Sequence, residues 1–81
     1  MNTNPPTEKQ LELLQHINRL MSDRHGIPPT IQELAGSLRI TATAVKRRLH
    51  GLIIRGLMHK EPRVARGLVV TDTGAALLEA S

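Results

Sequence analysis

The 81-residue sequence contains no cysteine and no phenylalanine, tyrosine or tryptophan. Without cysteine there is no disulfide framework and no thiolate metal site, so a reducing compartment suits the chain. The missing rings count against single-stranded nucleic acid and RNA loops, whose bases are usually held by stacking on aromatic side chains. Long apolar runs are missing too. Nothing approaches the ~18 residues of a membrane span, and the opening MNTNPPTEKQ lacks the basic-then-apolar order of a secretion signal. The expectation is a soluble cytoplasmic protein of one domain, with a modest core that buries ~60% of the unfolded chain's surface.

Acid is scarce in one region. Between Arg39 and Arg66 lie eight of the eleven lysines and arginines, against the single acid Glu61, so the segment carries +7 and the rest of the chain −3. Solubility alone would scatter these charges. A one-sided basic region is the electrostatic footprint of a polyanion-binding surface, and its bland alternative is a solvated basic face with no partner.

The stretch Leu38 to Met58, LRITATAVKRRLHGLIIRGLM, narrows the choice. Val45, Leu49, Leu52 and Ile53 recur at helical spacing and are expected to face a core. The opposite side carries Thr43, Lys46, Arg47 and His50. An amphipathic helix whose free face donates hydrogen bonds and positive charge suits the major groove of double-stranded DNA.

Helix-start signals organise the rest. Thr7-Glu8-Lys9-Gln10 fits a capping box, and the helix it opens runs to about Arg24 with Leu11, Leu14, Ile17 and Leu20 or Met21 inward. Gly26 stops it, and Pro28-Pro29 forces an extended lead-in to the next element. Thr30-Ile31-Gln32-Glu33 is a second capping box, opening a short helix to about Leu38. Arg39-Ile40 is a turn. Thr41 caps the third helix, which ends near Arg55 ahead of Gly56. The period then changes: residues 57–60 and 67–70 read as strands joined by the loop 61–66, where Pro62 stops the ladder from extending. Thr71-Asp72-Thr73-Gly74 leads into a last short helix, Ala75 to Glu79. The expected fold is mainly α with a small β-hairpin: an N-terminal tail (1–6), a three-helix winged helix-turn-helix (7–70) and a short C-terminal helix or tail (71–81).

GIPPTIQELAGSLRI, AVKRRLHGLIIRGLM and RVARGLVV resemble the N-terminal DNA-binding domain of LexA-type repressors over roughly Thr7 to Val70. The shared features are Gly-apolar-Pro-Pro-Thr, Glu-apolar-Ala in helix two, Leu-x-x-Leu before a glycine in helix three, and a wing return, Ala65-Arg66-Gly67, close to the family's Ala-x-Arg-Gly. LVVTDTGAALLEA is also similar to the wider MarR-like winged-helix group. The resemblance implies helix three in the major groove and the wing on adjacent backbone. Three positions depart from the LexA pattern: Lys46 and Arg47 stand where it carries carboxylates, and Arg39 stands where glycine is common, in a turn one residue shorter. A cationic pair favours guanine O6 and N7. No part of these residues resembles the serine-lysine protease domain of LexA proteins.

The candidate DNA contacts are Thr30, Arg39, Thr41, Thr43, Lys46, Arg47, His50, Arg63 and Arg66. Thr30 and Thr41 are caps first, with helix N–H groups beside them that suit a phosphate. Arg63 and Arg66 have the exposed setting of wing contacts. Arg48 is expected along the helix edge, and Arg55 at the negative end of the helix dipole. No two of His16, His25, His50 and His59 share helical spacing suited to a metal, and the serines show no nucleophile elbow. Neither an enzyme, a cofactor, a metal nor a small-molecule ligand is expected. Sequence-specific DNA binding by a repressor leads, with a homodimer or a further domain supplying full affinity. A winged helix that docks an acidic protein partner is the alternative.

Overall fold

Three threonines open three helices. The computed structural model describes residues 5–64 and 66–80, so tail residues 1–4, Ala65 of the wing and Ser81 lie outside the description. Helix α1 (Glu8–Asp23) begins at Thr7, whose hydroxyl accepts the Gln10 N–H at 3.2 Å while the Gln10 side chain accepts the Thr7 N–H at 3.0 Å. Helix α2 (Ile31–Leu38) repeats the device between Thr30 and Glu33. Helix α3 (Ala42–Ile54) has half of it: Thr41 accepts the Ala44 N–H at 3.1 Å, and the alanine methyl has no acceptor with which to reply. Each cap satisfies a backbone donor the helix itself leaves unpaired.

The stops follow the same logic. After α1 the chain turns through His25 and Gly26, both at positive φ, and the Gly26 N–H reaches back to the Met21 carbonyl at 2.7 Å. After α2, Arg39 itself takes the left-handed conformation (φ 58°, ψ 43°). A side chain there carries a steric cost that glycine avoids, so the shorter turn is built without the usual residue. Ile40 follows, half-buried against the core, its N–H on the Ala35 carbonyl.

The core is aliphatic. Leu13, Leu14 and Ile17 of α1, Leu34 of α2, and Val45, Leu49 and Leu52 of α3 meet Leu57, Met58 and Leu68. Burying one such side chain contributes about 1.5–3 kcal/mol. Leu13 joins a face expected to rest on Leu11, Leu14 and Ile17, because α1 packs against both α3 and α4 and needs a wider apolar arc. Ile53 is corrected in the other direction: it is 36% exposed. At about 100° per residue it sits about 80° round the helix from Val45, at the edge of the buried stripe.

Strands β1 (Met58–Lys60) and β2 (Leu68–Val70) pair antiparallel, with Met58 opposite Val70, His59 opposite Val69 and Lys60 opposite Leu68. Helix α4 (Asp72–Ala80) starts three residues earlier than the apolar pattern suggests. Thr71 explains the difference. Its hydroxyl accepts the Gly74 N–H at 3.0 Å and donates to the Gly56 carbonyl at 2.6 Å, while its own N–H meets the Leu57 carbonyl at 3.2 Å. Gly74 is buried so close to Leu57 that a Cβ there would lie 2.2 Å from the Leu57 carbonyl oxygen. The tail helix is therefore clipped onto the chain just past α3, and Leu77 and Leu78 pack against the core.

Candidate nucleic-acid interface

Helix α3 turns one face inward and leaves the other open. Val45, Leu49 and Leu52 are buried, while Thr43, Lys46, Arg47 and His50 are exposed on the opposite side. Their side chains form no hydrogen bond or ion pair with the described residues. Neither the hairpin nor α4 covers them. Ile54, 41% exposed, continues this outward face one turn beyond His50. Arg48 is half-buried at the helix edge. Arg55 spends its guanidinium inside the domain, donating to the Gly51 carbonyl at 2.9 Å and to the Pro5 carbonyl at 3.4 Å. That cation satisfies one carbonyl of the last turn of α3, as expected there, and ties the tail to it through Pro5.

The α2–α3 turn adds Arg39 and Thr41, both exposed. The left-handed cap at Arg39 places a cation immediately before the N-terminus of α3, beside Thr41. Thr30 is half-buried and its hydroxyl is already used: it accepts from the Glu33 N–H and donates to the Glu33 carboxylate at 3.2 Å.

The wing divides its two arginines. Arg63 occupies the tip, exposed and at φ 64°. Arg66 is exposed as well, but its Nη1 donates to the Pro28 carbonyl at 3.0 Å and pairs with the Glu33 carboxylate. Glu33 also pairs with Arg24. The Arg24 hydrogen bond chiefly, against some burial and helped by Thr30 and Arg66, holds this carboxyl at about 2, far below the usual range. One carboxylate thus joins the end of α1, the start of α2 and the return of the wing.

Lys60 was not among the sequence candidates. Lys46, Leu49, His50 and Ile53 of α3, Ile31 of α2 and Lys60 of β1 line an open cleft of about 200 Å³ between the helix and the hairpin. A second concavity shares Ile31 and Lys60 and continues past Thr30, Gln32 and Val64 toward the wing loop. The sequence signal for Lys60 was its place two residues after Met58 on the same strand face, but which wall that face meets depends on how the hairpin docks.

No helix among the described residues is long and apolar enough to cross a membrane, and no cluster of three or more His, Asp or Glu side chains there is placed to hold a metal ion.

Three helices, a two-stranded wing and an outward third helix define a winged helix-turn-helix domain. The family model described as the LexA DNA binding domain matches residues 3–67, and the chain belongs to that family. It is 34% identical over 73 residues to the LexA repressor of Limosilactobacillus fermentum, covering 89% of this chain and 35% of that protein. It is 36% identical over 66 residues to LexA repressor 2 of Geobacter sulfurreducens, covering 80% and 32%. The LexA repressor of Anaeromyxobacter dehalogenans is 36% identical over 73 residues, covering 89% and 32%. The chain spans about a third of the length of these curated relatives.

Proposed function

We propose that this chain binds double-stranded DNA sequence-specifically and acts as a transcriptional repressor, in the cytoplasm at the nucleoid. The observation that carries the reading is the uncovered outer face of α3, where Thr43, Lys46, Arg47 and His50 stand exposed with no partner among the described residues. Affinity comes mainly from neutralised phosphates, and specificity from Lys46, Arg47 and Thr43 at base edges. Arg39, Thr41 and the α3 N-terminus address the backbone at one end of the groove, and Arg63 on the wing at the other. Thr30 and Arg66 act at one remove, by fixing the start of α2 and the wing that the contacts depend on.

The domain is a reader and carries out no chemistry on its ligand. One such module covers a half-site, so full affinity needs a second copy or a further domain at a spacing of about one helical turn. Selection of bound sequences from a random duplex pool tests the reading. A recovered motif with guanines at fixed positions supports it. A pool that stays random after repeated rounds, or capture only of an acidic protein, overturns it.

A further inference from the structure

The cleft between α3 and β1 has an apolar floor and a cationic rim. Ile31, Leu49 and Ile53 form the floor, and Lys46, His50 and Lys60 stand round it. Lys60 is there by register. It follows buried Met58 by two residues and pairs with buried Leu68, so it lies on the inner face of the hairpin, while His59 and Val69 face out. The acid nearest in sequence, Glu61, is held by His59 at 3.2 Å. No hydrogen bond or ion pair within the described residues engages the side chain of Lys46 or Lys60.

From this juxtaposition we infer that the α3–β1 cleft seats one sugar-phosphate unit of the DNA strand, with the phosphate on Lys60 and the deoxyribose against Ile31 and Ile53. A bare anion would gain nothing from three aliphatic walls, whereas a nucleotide backbone presents carbon and charge together. The cleft is also open and runs on toward the wing past Ile31 and Lys60, as a continuous strand requires. Lys60 is therefore a backbone-binding residue contributed by the wing strand itself, and it ties the helix and the wing to the same strand. This rests on the DNA-binding reading above.

The test compares the wild-type chain with Lys60→Gln and Lys9→Gln on random-sequence 20-base-pair duplexes, by fluorescence anisotropy across a salt series. Lys60→Gln is expected to weaken binding roughly 5–10-fold at 0.1 M salt, equally for every duplex, and to lower the log K against log salt slope by about one. Lys9→Gln, which removes the same charge from α1 where Lys9 meets only Glu12 among the described residues, should match the wild type. Thermal midpoints should stay unchanged, since both side chains are exposed. Methyl signals of Ile31 and Ile53 should shift with duplex and stay still with inorganic phosphate. Equal slopes for Lys60→Gln and wild type overturn the proposal, as do methyl shifts that inorganic phosphate reproduces. If wild type and Arg47→Ala both lack salt-sensitive affinity, DNA binding itself fails, and the seat with it.

Discussion

The Arg66 guanidinium, on the return of the wing, closes onto the Glu33 carboxylate in the first turn of α2. The pair links the hairpin to the helix-turn-helix and gives the two wing arginines different work. Arg63→Ala should leave stability unchanged and lower the salt slope of DNA binding by about one. Arg66→Ala should lower the thermal midpoint and broaden the amide signals of residues 61–67. Denaturation and binding curves on the two variants separate the roles. Equal slope losses without any change in stability would show both arginines on the DNA.

Glu33 also sets how the domain meets acid. Its carboxyl is held at about 2 against an ordinary 4.5, so ionisation favours the fold above about pH 4.5, and that contribution is lost as pH falls toward 2. His16 acts in a higher window. Partial burial, with Arg19 nearby, lowers its pKa from 6.5, and its Nε2 lies 2.7 Å from the Ser37 hydroxyl across the α1–α2 contact. A depressed histidine favours the fold while neutral, so its contribution fades as pH drops below about 6.5. Urea melts of wild type should show two stages of acid loss. His16→Gln should remove the upper stage and Glu33→Gln the lower.

Base reading should rest on Arg47. Arg47→Ala is expected to cost about 1–3 kcal/mol on the selected site and to relax preference at one base pair. Competition with single-substituted duplexes reads this directly. A uniform loss across all duplexes would assign Arg47 to phosphate.

Gly74 should tolerate no side chain. Its Cβ would press on the Leu57 backbone, which cannot swing aside, so Gly74→Ala should destabilise by about 1–3 kcal/mol. Gly36, with open space around it, is the matched control. Calorimetry of the two variants should separate them, and equal midpoints would contradict the clip between α4 and the Gly56–Leu57 backbone.

What the sequence discloses about this fold is what is local. Thr7 with Gln10, Thr30 with Glu33, and Thr41 mark helix starts within four residues, and all three caps are formed. The change of period after Gly56 announces the hairpin. Non-local placement is less legible. The exposure of Ile53, the burial of Leu13 and the position of Lys60 depend on which elements press together. The engagement of Arg66 by Glu33 joins residues with no shared pattern, and α4 starts early because Thr71 bonds the Gly56 carbonyl. For the interface, the outward set on α3 was readable from periodicity alone, because one helix carries all of it.

The central claim is that the outer face of α3 enters the groove of a duplex. Titrating the ¹⁵N-labelled chain with its selected duplex, at low and moderate salt, tests it most directly. Shifts should concentrate in residues 41–50, with a second group at 60–64, and should shrink as salt rises. Shifts confined to α1 and α4, or none at either salt, would contradict it.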